Sequence, residues 1–267
     1  DNPIVKGCIK APPGSKIVAM DLKTAEVYVA APLSDDRALM DIFRTGGDFH
    51  SNIAKQVFNL DCAEEDVAKF YPIQRQAAKS ISFGIMYGAG PAKISAEITK
   101  ESGVYFGIRE AQRVIDQYFE TFDKLKDWID NNKEFMSTNG FIYSHFGRKR
   151  RLANVFSKDR GLVGHTIRSG LNFLVQSTAS DINLLGAIDM QSYIKVANMK
   201  TKIFALVHDS ILAEVPDEEI EEYMEVLTRF IQLDRGIMIS GTPIGCDFDI
   251  GQDYSMGKYE KKYESIK

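Results

Sequence analysis

The sequence predicts an α+β protein: a sheet assembled from distant parts of the chain, with a helical block inserted in it. Two observations predict it. Apolar, strand-like runs fall near both ends, at 16–21, 202–207, 211–215 and 244–250, and the residues between them carry apolar side chains at helical spacing. Composition allows such a core, because 44% of the 267 residues are apolar and 26% charged, outside the disordered range. No apolar run approaches the roughly 18 residues of a membrane-crossing helix, so no membrane partner is expected. Cys8, Cys62 and Cys246 are far apart and form no CxxC pair. That argues against a disulfide scaffold or a cysteine-built zinc site and for a reducing compartment. The sequence starts at Asp1, without a signal-peptide pattern, as expected of a fragment or trimmed chain.

Each element has its own signal. Lys16–Asp21 reads as a buried strand ending in a carboxylate, after the turn Pro12-Pro13-Gly14. Ser34–Arg44 reads as a helix with Ser34 as N-cap and Gly46 past its end. Asp48–Asn59 reads as another, and Gln74–Tyr87 as a third, stopped by Gly88-Ala89-Gly90-Pro91. From Arg109 to Thr138 the residues Ile115, Tyr118, Phe119, Phe122, Leu125, Trp128 and Ile129 keep helical spacing, with Asn139-Gly140 as the stop. Ser177–Val196 and Asp217–Gln232 are further helices. The strands 202–207 and 211–215 are joined tightly at His208-Asp209-Ser210, and Ile244–Ile250 is the last strand.

A net charge of -4 argues against a generally basic nucleic-acid binder, yet the charge is uneven. Arg148, Lys149, Arg150, Arg151, Lys158, Arg160 and Arg168 are opposed within that stretch by Asp159 alone, either an anion-binding face or a solvated loop. Asp21 closes one apolar strand and Asp209 sits at the turn between two others. Taken singly each is a strand-end or turn residue; on neighbouring strands they could hold two Mg²⁺ ions roughly 3.5–4 Å apart. Arg75, Lys79, Phe83 and Tyr87 recur every four residues, a stripe about 18 Å long on one helix face. Two cations at one end suit a triphosphate, and two rings at the other suit a sugar and a base.

These motifs together resemble the polymerase domain of family A (bacterial polymerase I-type) DNA polymerases. Arg75-x3-Lys79-x3-Phe83-Gly84-x2-Tyr87-Gly88 resembles that family's nucleotide-closing fingers helix. Val207-His208-Asp209 resembles its second metal motif, and Asp21 with Glu26 its first. Phe146-Gly147-Arg148-Lys149-Arg150 and Arg168-x3-Asn172-x3-Gln176 resemble its basic and minor-groove elements, and Gly47-Asp48-Phe49-His50 also fits. The resemblance implies a right-hand fold without its thumb: an antiparallel-sheet palm at 1–45 and 169–267, with helical fingers at 46–168. It implies DNA-directed DNA synthesis with two Mg²⁺ ions on Asp21 and Asp209, and Lys79 as proton donor to pyrophosphate. Arg75, Lys79, Phe83, Tyr87 and Glu26 would bind the nucleotide. Arg148, Lys149, Arg150, Arg168, Asn172 and Gln176 would bind primer-template DNA, with His208 as a positioned neighbour. Partners would be primer-template, dNTPs and a separate chain or missing segment supplying thumb and exonuclease. The setting would be the cytoplasm of a bacterium or phage-infected cell, an organelle being left open.

The sequence departs from the family pattern at two places. Asp209 is followed by Ser210 instead of Glu, and the first motif reads Asp21-Leu22-Lys23-Thr24-Ala25-Glu26-Val27-Tyr28, without its Arg. These departures lean toward a phage lineage. Single-subunit phage-type RNA polymerases share His-Asp-Ser, but Glu26 beside Phe83 would fill the space of a ribose 2′-hydroxyl. Other readings are a non-catalytic or partner-dependent DNA-binding remnant and, more weakly, a two-metal nuclease.

Overall fold

The first apolar run folds as expected and becomes the middle strand of a sheet. A computed structural model describes residues 3–86, 88–256 and 263–264. After the single-turn helix α1 (Pro3–Lys6) comes β1 (Ser15–Leu22), then eight helices: α2 (Ala25–Ser34), α3 (Arg37–Thr45), α4 (Phe49–Phe58), α5 (Glu64–Phe70), α6 (Pro72–Met86), α7 (Pro91–Ser102), α8 (Ile108–Thr121) and α9 (Asp123–Asn139). The hairpin β2 (Phe141–Tyr143) and β3 (Lys149–Arg151) precedes the long helix α10 (Arg160–Val196). The chain ends in β4 (Lys202–Val207), β5 (Ser210–Pro216), α11 (Ile220–Ile231), β6 (Cys246–Gly251) and β7 (Tyr263–Glu264). The five-stranded sheet runs β4-β5-β1-β6-β7, and every neighbouring pair is antiparallel. The fold is α+β. Among the described residues no helix is long and apolar enough to cross a membrane.

Two compact units share the chain, one of residues 1–25 and 179–267, the other of residues 26–178. The palm and fingers that the family resemblance implies divide instead at 45/46 and 168/169.

The sheet unit gathers its core around β1, whose Val18 and Met20 are fully buried. Amphipathic α11 packs Tyr223, Leu227 and Ile231 inward, against β5 and β6. Gly186 lets α10 meet that helix closely, since a Cβ there would lie 2.3 Å from Ile231 Cδ1. The Glu219 carboxylate accepts from the Lys200 and Thr201 amides and the Thr201 hydroxyl, which fixes the α10–β4 connection.

The helical unit departs from the sequence expectation at several elements. Ser34 ends α2 instead of capping the next helix, and its hydroxyl donates to the Ala30 and Ala31 carbonyls. The cap of α3 is Asp36, whose Oδ1 accepts from the Leu39 amide at 3.0 Å. Its Oδ2 accepts from the Leu125 amide in the first turn of α9, also at 3.0 Å, and the residue is 1% exposed. The run 109–138 is two helices, because Phe122 leaves helical geometry (φ −119°, ψ 65°) with its ring fully buried beside Tyr118. α9 stops at Gly140 as expected, in the left-handed region at φ 70°. α10 starts at Arg160, not Ser177, and runs for 37 residues.

Candidate active site

The candidate site begins with a carboxylate on the central strand. In register, Asp21 lies between Ser210 of β5 and Asp247 of β6. The Ser210 hydroxyl donates to Asp21 Oδ1. Burial pushes the Asp21 carboxyl above its ordinary value; the Ser210 bond opposes this, and the charges of Asp209, Asp249 and Asp247 add to it. The turn between β4 and β5 is the pair His208-Asp209, with His208 in the left-handed region at φ 56°. Both residues are exposed there. Asp247 and Asp249 were not singled out from sequence, although their alternation with Phe248 on an otherwise apolar strand was the available signal. Asp247 is paired with Lys23, Nζ to Oδ1 2.8 Å.

A second group lies in the helical unit, on α4 and α6. Ala77, Ala78 and Ile81 are buried on one side of α6, while Lys79 is exposed and Arg75 and Phe83 are half-buried. The predicted stripe is therefore the open face of that helix, except for Tyr87, which lies outside the described residues. Asp48 caps α4 by accepting from the Ser51 amide and hydroxyl. It also takes Arg75, Nε to Oδ2 2.6 Å and Nη2 to Oδ1 3.0 Å. The Asp48 carboxyl is held at about 2, burial being outweighed by the Arg75 and Ser51 bonds. Ring contacts run from Tyr28 of α2 through Phe43, Phe49 and His50 to Phe83. Glu26 stands on the helix where this chain begins.

His50 is 9% exposed, and burial drives its imidazole from 6.5 down to about 4, with Arg75 and Lys79 adding to the fall and Asp48 opposing it. An unfolded chain thus takes this proton near 6.5, whereas the folded one takes it near 4. Stability should therefore fall as pH drops through that window, by about 2 kcal/mol from this group at pH 4.5. Urea unfolding of His50→Gln should show a flatter dependence between pH 7 and 4.5 than the parent; an identical slope would refute the assignment.

The third group gathers the basic residues. The segment singled out for its charge begins as a hairpin and not a loop, with Phe141 opposite Arg151 and Tyr143 opposite Lys149. Lys149 Nζ sits 3.7 Å from the Phe141 ring centre. Arg148 Nη2 donates to the Ser177 carbonyl (3.1 Å), and Arg150 Nη2 to the Ser169 hydroxyl (2.6 Å), so the hairpin is tied to α10. On that helix Arg168 and Gln176 are exposed, and Asn172 between them is half-buried. Asn172 Oδ1 faces no partner among the described residues. Gly88, at φ 63°, makes room for Arg168, whose Cγ would lie 2.3 Å from a Cβ there.

The family described as DNA polymerase family A matches residues 2–256. The chain belongs to DNA polymerase family A. Over its whole length it is 47% identical to the DNA polymerase of Escherichia phage T5, of which it spans 34%. It is 33% identical to DNA polymerase I of Caldicellulosiruptor bescii, with 81% of the chain and 24% of that protein aligned. The POL domain of Pol1 from M. smegmatis, solved in complex with DNA primer-template and dNTP, shares the fold at TM-score 0.80 and 23% identity, covering 96% of this chain and 43% of that one. The chain thus spans about a third or less of the length of these curated relatives.

Members of family A are metal-dependent. Among the described residues no group of three or more His, Cys, Asp or Glu side chains is gathered to enclose an ion. Mg²⁺ is commonly bound by one or two carboxylates that share it with substrate phosphates. A half-buried Asp21 with surrounding like charge is the kind of donor a divalent cation would relieve.

Proposed function

We propose that the chain is the template-directed polymerase module of a DNA polymerase, adding deoxynucleotides to a primer 3′ end. The observation that carries this reading is Asp21 on the central strand, bonded to Ser210 and set among Asp209, Asp247 and Asp249, in a chain of family A. In this reading residues 1–45 and 169–267 serve as palm, and residues 46–168, with α6, as fingers. Asp21 and Asp209 would hold two Mg²⁺ ions, which supply charge neutralisation at the attacking oxygen and the leaving phosphate. Arg75 offers a planar fork to the triphosphate and Lys79 a mobile ammonium, its Nζ donating a proton to the departing pyrophosphate. The Phe83 ring packs against deoxyribose, and Tyr87 serves the templating position. Arg168, Asn172 and Gln176 offer hydrogen bonds to minor-groove acceptors, while Arg148, Lys149 and Arg150 meet phosphates. Other segments of the longer relatives would supply thumb and proofreading.

Primer extension with Mg²⁺ and single dNTPs tests the reading. Addition only of the nucleotide complementary to the template is expected; no addition at low salt and high protein concentration would overturn it. Glu26 is assigned as the group that excludes a ribose 2′-hydroxyl, so Glu26→Ala should raise ribonucleotide over deoxyribonucleotide incorporation by at least about tenfold. An unchanged ratio would remove that role and reopen the RNA-synthesising reading, which the DNA polymerase relatives do not favour.

A further inference from the structure

We propose that Asp48 is a positioning residue that fixes the Arg75 guanidinium for the nucleotide's triphosphate. The proposal rests on the reading that Arg75 meets that triphosphate. Asp48 is a fixed anchor: its Oδ2 accepts from the Ser51 amide (3.0 Å) and hydroxyl (2.5 Å) at the start of α4. Its own amide donates to Glu64 Oε1 at 2.8 Å. Gly47, at φ 75°, leaves space for that carboxylate, because a Cβ there would lie 2.6 Å from Glu64 Oε2. Against this anchor Arg75 is held along one edge of its fork, through Nε and Nη2.

Side-on pairing leaves the adjoining, end-on edge of the guanidinium, Nη1 with the second hydrogen of Nη2, for a second acceptor. Arg75 can therefore serve a carboxylate and a phosphate at once, without surrendering one to gain the other. Both side chains are about one-third exposed, at 32% and 35%, so the pair is neither sealed in the core nor free in water. An unheld Arg on α6 would have to lose its rotamer freedom when the nucleotide bound; Asp48 removes that cost beforehand.

Steady-state kinetics of single-nucleotide addition test this. Asp48→Asn keeps an oxygen that caps α4 but loses the charge that clamps Arg75. It should raise KM for dNTP about tenfold and leave kcat within about twofold when assayed well below its melting temperature, which the lost charge should lower somewhat. Arg75→Lys, which cannot form two parallel bonds, should raise KM as well, and adding Asp48→Asn to it should raise KM no further. If Arg75→Lys raises KM while Asp48→Asn leaves it unchanged or lowers it, the positioning role is overturned and the triphosphate role of Arg75 stands. If Arg75→Lys leaves KM unchanged, both fall. Should Asp48→Asn melt early, Asp48→Ser, which also keeps a capping oxygen, carries the same comparison.

Discussion

Asp21→Asn and Asp209→Asn are each expected to lower nucleotide addition by at least about a thousandfold, without unfolding the protein. An amide has nearly the shape of a carboxylate and none of its charge, so what is removed is the capacity to hold a divalent cation. For Asp21 the structural consequence should have the opposite sign. The Asn side-chain oxygen still accepts from the Ser210 hydroxyl, and the charge that burial and three neighbouring carboxylates penalise is gone. Asp21→Asn should therefore melt at or above the parent temperature, as functional sites built against stability do. Asp209 is exposed in a two-residue turn, and its replacement should leave melting unchanged. Primer extension and thermal melting of the same preparations check both statements. Activity within tenfold of the parent would discard the metal assignment; activity lost along with a lower melting temperature would point to misfolding.

Asp36→Ala should destabilise the helical unit by about 3 kcal/mol. One buried carboxylate satisfies the first turns of two helices, with an oxygen each for the Leu39 and Leu125 amides. Alanine leaves both amides without their acceptor in a place water does not reach. Asn has one acceptor oxygen where Asp has two, and its NH2 would face the other amide donor, so Asp36→Asn should cap one helix yet lose more than half as much. Urea unfolding gives the totals, and hydrogen exchange at the Leu39 and Leu125 amides locates them. Unchanged protection at either amide in Asp36→Ala would show that its bond carries none of the effect.

What the sequence shows and what it hides divide along physical lines. The strands ending at Asp21 and flanking Asp209 are short apolar runs closed by an acid, and the face of α6 has a four-residue period, so local pattern is enough for both. α2 is hidden because Val27, Tyr28, Val29, Ala30 and Ala31 are all buried. A helix apolar all round has no period, and Pro32 inside it reads as a breaker. The hairpin 141–151 is hidden by its charge, since a strand whose residues are Lys-Arg-Arg looks like loop. Long-range partners have no local signal: Asp48 meets Arg75 across 27 positions, and Asp36 meets Leu125 across 89. The role of Ser210 is of the same kind. As a substitution it reads as a lost carboxylate; in register opposite Asp21 it is the hydroxyl that holds the remaining one.

The strand order has a consequence for synthesis of the chain. β1 is central, yet both strands that flank it, β5 and β6, are encoded after the entire helical unit. On a ribosome the segment Ser15–Leu22, with its largely apolar side chains, emerges before the helical unit and must wait until residue 251 has been made before both strands that flank it exist. The helical unit, contiguous in sequence, has no such delay. The helical unit can therefore be complete while β1 still lacks β5 and β6, an interval in which an apolar strand edge favours aggregation. Retaining Lys16 and Asp21 within that strand keeps charge on an otherwise aggregation-prone segment during the interval.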